Sequence, residues 1–311
     1  MPDEALLGPG LRVLVLSSGK AGHEANCLGV AEALGAPYEV RVVAPRPLFA
    51  SLSPFGPLDP KDWPGRPGSA LARPFPDIII ACGRVTAPYL RALKRAAGDR
   101  IFAVFLQDPR FGRARMDLVW TPEHDRRAGP NIISTLTSPH PFSAKRLAAA
   151  RAAPDPRIAA LPRPRAAIIL GGPSAAHVFA ARDLARLTQA AAAVVAAVRR
   201  GLGAAPAFVW DGAGDNPYAQ ILANAETILV TGDSVNMVGE ATATGAPVHV
   251  FEPSGAGAGK IGRYLDALER LGAVRRFAGR VEPFTYAPID SSLTIAREIA
   301  RRVAASRTGS L

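Results

Sequence analysis

The chain has 311 residues, about twice the size of an ordinary domain, so two domains of roughly 150 residues each are expected. With 48% hydrophobic and 20% charged residues it is neither a disordered nor a fibrous protein, and no apolar run reaches the ~18 residues of a membrane helix. A net charge of +11 suits nucleic acid, an anionic membrane surface or phosphate-bearing substrates. Arginine is spread along the chain without zinc-finger, RNA-binding or basic-zipper signatures, so nucleic acid is not an expected partner.

The opening MPDEALLGPG lacks the basic and apolar regions of a secretory signal, which predicts a cytoplasmic protein. Short apolar runs then alternate with helical spacing, the rhythm of parallel strands joined by crossover helices. Strands are predicted at 11–16, 38–43, 77–81, 101–106, 117–120 and 131–133, with helices at 24–34, 86–97 and 143–152. Between them, residues 45–76 hold nine of the 29 prolines and no helical periodicity. That insertion is either a lid or membrane-touching loop, or a stiff connection whose Leu48, Phe49, Leu52, Phe55 and Trp63 pack on the domain.

Proline and arginine at 153–165 mark a linker, after which the pattern restarts. Strands are expected at 166–170, 207–210, 227–231 and 247–251, and helices at 179–200, 217–223, 234–244 and 261–271. The tail reads as a closing helix in which Ile295, Ile299 and Val303 recur every fourth residue. The expected organisation is therefore an N-terminal Rossmann-like domain over 1–155, a C-terminal one over 156–285, and a last helix in 286–311 that returns to the first. Cys27 and Cys82 have no metal-type spacing and read as buried thiols.

Chemistry is expected where strands end in glycine turns that feed helices, because such turns present free N–H groups and a positive dipole end. The first is Gly19-Lys20-Ala21-Gly22-His23, which is neither a phosphate loop nor a dinucleotide fingerprint. His23 at the helix start is a candidate base for an acceptor hydroxyl. The second turn is Gly171-Gly172-Pro173-Ser174. The third follows the strand ending at Thr231, where Asp233 or Ser234 caps a helix carrying Asn236, Met237 and Glu240. Glu240, about two turns after Ser234, is placed to accept hydrogen bonds from ribose hydroxyls, or else stands solvated. Asp108 is a candidate base or orienter of His23, His124 a second candidate, and Lys20, Arg110 and Lys260 are candidate cations.

These stretches carry a resemblance. GKAGHEANCLGVAEALG, LQDPRFGRARMDLVWTPEHD, ILGGPSAAH and TGDSVNMVGEATATGAPVHVFEP resemble the bacterial branch of the mitochondrial-fission "elongated mitochondria" family, whose members are similar to GT-B, MurG-type glycosyltransferases. The resemblance implies two Rossmann-like α/β domains facing across a cleft, with parallel sheets and helices on both faces. It implies that Gly22 and His23 serve the acceptor, Gly171, Gly172 and Ser174 the donor phosphates, and Ser234, Asn236 and Glu240 the nucleotide. The expected activity is metal-independent transfer from a nucleoside-diphosphate sugar, with no further cofactor, to a lipid or envelope-polysaccharide acceptor at the inner membrane surface. The alternatives are a non-catalytic scaffold that recruits a protein partner, and a nucleotide-sugar epimerase.

Overall fold

The computed structural model describes residues 6–8, 10–171, 205–252 and 259–308. The chain forms two compact units, Met1–Ser143 with Asp290–Leu311, and Ala144–Ile289.

In chain order the first unit holds β1 (Val13–Ser17), α1 (Ala21–Leu34), β2 (Tyr38–Val42), α2 (Pro47–Leu52), β3 (Ile78–Cys82), α3 (Ala87–Ala97), β4 (Phe102–Leu106), β5 (Leu118–Pro122) and β6 (Ile132–Thr135). The second holds α4 (Ala144–Ala152), α5 (Pro156–Ala159), β7 (Ala166–Ile169), α6 (Tyr218–Asn224), β8 (Thr227–Thr231), α7 (Val235–Thr242), β9 (Val248–Phe251), α8 (Lys260–Arg270) and β10 (Arg275–Arg276). The chain then returns to the first unit as α9 (Ser291–Thr308).

The first sheet is parallel, in the order β2-β1-β3-β4-β5-β6. That is a doubly wound order whose strand direction of growth reverses between β1 and β3, the place where such sheets bind ligands at their carboxyl ends. Because side chains alternate along a strand, Val13, Val15, Ile78 and Ile80 join α1 and α9 in one core, while Leu14, Leu16, Ile79 and Ala81 join α3 in the other. Burial on both faces is why these strands read as unbroken apolar runs. Gly29 lets α1 lie against the chain at His140, since a Cβ there would come 2.3 Å from the His140 carbonyl oxygen. Ser292 clamps the same backbone, accepting from His140 N and donating to His140 O, both at 2.8 Å.

The second sheet is also parallel, in the order β10-β9-β8-β7. The expected boundary near 155 falls at 143 instead. The cause is α4, which is bonded to the second unit: Arg151 donates to Ala223 O at 2.8 Å and to Thr244 O at 2.9 Å. Likewise the returning segment starts at 290 rather than 286. The strand expected at 207–210 does not form. Trp210 Nε1 donates to Ala213 O at 2.9 Å and Arg157 lies 4.8 Å from the Phe208 ring centroid, so these side chains serve local contacts rather than a ladder. Residues 45–76, expected to be irregular, contain α2, started by Pro47 at its first position, where proline is tolerated. The expected helix 179–200 lies outside the described residues. Among the described residues no helix is long and apolar enough to cross a membrane.

Candidate functional site

In the second unit, β8 ends at Thr231 and the turn Gly232-Asp233-Ser234 feeds α7. Gly232 is small for a packing reason, as a Cβ would meet Val250 at 3.0 Å and Leu265 at 3.2 Å. Ser234 is the N-cap, its Oγ accepting from Met237 N at 3.4 Å. The end of β7 joins this turn: Gly171 N–H donates to Thr231 Oγ1 at 2.7 Å. A Cβ on Gly171 would lie 2.1 Å from Asp233 Oδ2, so the carboxylate rests on the bare face of the glycine. Thr231, Asp233 and Gly171 are thus brought together, while Gly172 and Ser174 lie outside the described residues. Asn236 is exposed and Met237 half-buried in the first turn of α7, and Lys260 is exposed at the start of α8.

Glu240 is half-buried and does not stand free in solvent. Its Oε2 accepts a 2.7 Å hydrogen bond from the Tyr218 hydroxyl, which comes from the first residue of α6. Burial raises the Glu240 carboxyl to about 7, although the Tyr218 bond acts in the opposite direction. Burial, then the Glu240 charge, pushes the Tyr218 phenol far above its ordinary range. Tyr264, fully buried, donates to Val235 O at 3.0 Å and feels the same carboxylate. Tyr264 therefore holds the start of α7, and Tyr218 holds the Glu240 carboxylate further along it. Sequence reasoning missed both, because nothing in their spacing links α6 or α8 to Glu240.

In the first unit, Ser17 ends β1 and its hydroxyl donates to the Glu24 carboxylate while accepting from Gly19 N at 3.0 Å. Gly19 sits at φ +75°, in the left-handed region open to glycine. Lys20 is the N-cap of α1 without a side-chain cap bond, and exposed Gly22 and half-buried His23 occupy the first turn. The imidazole lies on Gly83, just past β3: a Cβ there would meet His23 Nδ1 at 2.4 Å, and Gly83 has φ +89°. His23 Nδ1 is buried and has no hydrogen-bond partner among the described residues. Burial, and secondarily the Lys20 ammonium, lower the His23 pKa, which favours the neutral, proton-accepting form.

Asp108 is engaged by arginines, and no hydrogen bond joins it to His23 among the described residues. Its carboxylate takes two bonds from Arg113 Nη2 at 2.8 and 2.7 Å, one from Arg110 N at 2.9 Å, and a 3.3 Å ion pair with Arg127. Burial, the largest single influence, would raise its pKa, but the Arg113 bonds, the Arg110 N–H and the charges of Arg113 and Arg127 together outweigh it and the net shift is downward. Asp108 is thus an ionised brace for the loop after β4. That loop and the one after β5 carry three non-glycine residues in left-handed backbone, Gln107 (φ 93°), Arg110 (φ 62°) and Arg126 (φ 52°), a cost that clusters at functional sites. His124 occupies a single 3-10 turn after β5. Among the described residues no group of three or more His, Cys, Asp or Glu is arranged to hold a metal ion.

A family model described as mitochondrial fission ELM1 matches residues 21–198 and 190–303. The mitochondrial fission protein ELM1 of Arabidopsis thaliana is 29% identical over 276 residues, covering 74% of this chain and 64% of that protein. Protein RP120 of Rickettsia prowazekii (strain Madrid E) is 31% identical over 88 residues, 27% of this chain and 25% of its own length. The chain therefore spans less than two thirds of the curated relatives it matches. Similar solved structures include the spinosyn forosaminyltransferase SpnP, with 14% identity, coverage of 96% of this chain and 94% of that one, and a TM-score of 0.48. The glycosyltransferase SnogD from Streptomyces nogalater has 18% identity, 96% and 95% coverage and a TM-score of 0.41.

Proposed function

The chain belongs to the mitochondrial fission ELM1 family, and from that premise we propose that it is a glycosyltransferase-type protein whose second unit binds a nucleoside-diphosphate sugar. The observation that carries this reading is Glu240. A half-buried carboxylate on α7 already accepts a hydroxyl donor, Tyr218, at 2.7 Å, which is the chemistry a ribose hydroxyl requires. The first N–H groups of α7 have no carbonyl of their own helix to bond and suit the diphosphate, with Lys260 as a cation.

In the first unit, His23 takes the proton of an acceptor hydroxyl as that oxygen bonds to the anomeric carbon. The bond from that carbon to the diphosphate oxygen breaks, and the N–H groups and cation stabilise the departing charge. The acceptor is a lipid or envelope polysaccharide and the protein works peripherally at the inner membrane surface. Asp233 supports a second reading. Its carboxylate sits in the very turn that would face the diphosphate and opposes an anion there. The plant relative is named for mitochondrial fission, and a scaffold that recruits a protein partner needs no diphosphate.

Calorimetry separates the two. Uridine, guanosine, adenosine and thymidine diphosphates are titrated into the wild type and Glu240→Ala. The enzyme reading expects saturable binding of one of them, weakened on the order of tenfold to a hundredfold by the loss of a charged hydrogen bond. Absence of binding by all four leaves the scaffold.

A further inference from the structure

The 45–76 segment holds large apolar side chains in solvent. Leu48 is 65% exposed, Leu52 45%, Phe55 62% and Trp63 62%; Phe111 of the β4–β5 loop, 49% exposed, meets Phe55 with ring centroids 6.1 Å apart. Leu48 and Leu52 lie one turn apart on one face of α2, and Phe55 N–H donates to Leu52 O at 3.1 Å.

This exposure does not come from a loosely attached loop. Arg84 Nη1 donates to Ala50 O at 3.1 Å and to Ser53 O at 2.8 Å, and Arg91 Nη2 to Gly56 O at 3.2 Å while its guanidinium lies 5.2 Å from the Phe111 ring centroid. Arg46 binds Asp59 by backbone and side chain. Tyr89 of α3 donates to Asp62 at 2.6 Å. The backbone is fastened to the unit and the greasy side chains are turned away from it.

Charge on this face has one sign. The segment has two carboxylates, Asp59 and Asp62, and both are buried. Arg46 is paired with Asp59, whereas Lys61, Arg66 and Arg73 are exposed, and so are the neighbouring Arg84 and Arg110. Single exposed apolar residues are ordinary. Exposed apolar side chains with aromatic rings, accompanied by exposed cations and by no exposed carboxylate of the segment, have the chemistry of the headgroup layer of an anionic bilayer, where rings sit at the acyl boundary and cations meet lipid phosphates. A neutral or basic protein surface would leave those cations unmatched.

We propose that this face docks the chain on an anionic lipid bilayer, with Leu48, Leu52, Phe55, Trp63 and Phe111 entering the interface. The test reads lipid binding rather than sugar transfer, so its outcome is separate from that of the nucleotide reading. The full chain is sedimented with vesicles of phosphatidylcholine mixed with phosphatidylglycerol, and with phosphatidylcholine alone.

Stronger binding to the mixed vesicles is expected, falling with salt above about 0.1 M. Leu48→Ser and Phe55→Ser each lower it on the order of tenfold, and Arg66→Glu several-fold. All three keep the wild-type melting temperature because the side chains are exposed. Leu271→Ser, at a 61% exposed leucine of the second unit, leaves binding unchanged. The proposal is overturned if mixed vesicles do not bind, if the Leu48 and Phe55 variants bind like the wild type, or if Leu271→Ser weakens binding as much as they do. A dimer that Phe55→Ser dissolves in sedimentation velocity would give the face to a second copy, and also overturns it.

Discussion

The turn after β1 and the turn after β8 are built alike, a strand end, a glycine and a helix start, yet each neutralises its ionisable group from the opposite side. Around His23, burial against Gly83 and the Lys20 charge lower the pKa. Around Glu240, burial beside Tyr218 raises the carboxyl to about 7. Burial disfavours whichever form is charged, so one site keeps an uncharged base and the other a carboxyl poised between acid and anion. Caps differ too: Ser234 caps α7 with its side chain, whereas Lys20 offers α1 none.

The largest effect that tests this contrast is on pH-dependent stability. Glu240 has a folded pKa near 7 against 4.5 for the free group. As pH rises from about 4.5 to 7 the unfolded chain ionises first, and stability on the order of 3 kcal/mol is lost. Glu240→Gln is expected to abolish that loss, read as slower amide hydrogen exchange in α7 above pH 7, while nucleoside diphosphate binding weakens. His23 acts in the other direction: with a folded pKa below 6.5, it removes stability as pH falls below about 6.5.

Gly83→Ala comes next. It places a methyl group against the His23 ring in left-handed backbone, and a destabilisation of about 2 kcal/mol is expected in urea unfolding. A smaller value with an unshifted His23 resonance would mean the imidazole does not rest there. Tyr218→Phe should change stability by only about 1 kcal/mol, but it raises the Glu240 pKa further, since the Tyr218 bond is what lowers it. The carboxyl carbon resonance followed against pH reads this directly. The smallest change is Lys20→Ser, which supplies the missing cap for roughly 0.5–1 kcal/mol. Removing the ammonium also raises the His23 pKa, measurable by imidazole titration.

Much of this architecture was legible because its strands are buried on two faces. LRVLVL, DIIIA and IFAVFL have to be apolar throughout when helices cover both sides, and their spacing gave the helices between them. The turns at their carboxyl ends followed. The 207–210 run failed for the same reason that the others succeeded: apolar composition does not say whether a neighbouring strand is there to pair with, and Trp210 and Phe208 found partners in their own loop and in Arg157. Asp108 reads as a companion of His23 because both follow strands, but its carboxylate is taken by the guanidinium of Arg113 in its own loop and by that of Arg127 in the next.

The sequence by itself determined the alternation of strand and helix and the places where helix starts present N–H groups, because both depend on local spacing and backbone chemistry. Only the tertiary structure decided the charge states: Tyr218 beside Glu240, Gly83 beneath His23 and Phe111 against Phe55 are met across distant segments. A pKa or an exposed face is set by what surrounds a side chain in space, and the identity of those neighbours is not written in the residues next to it.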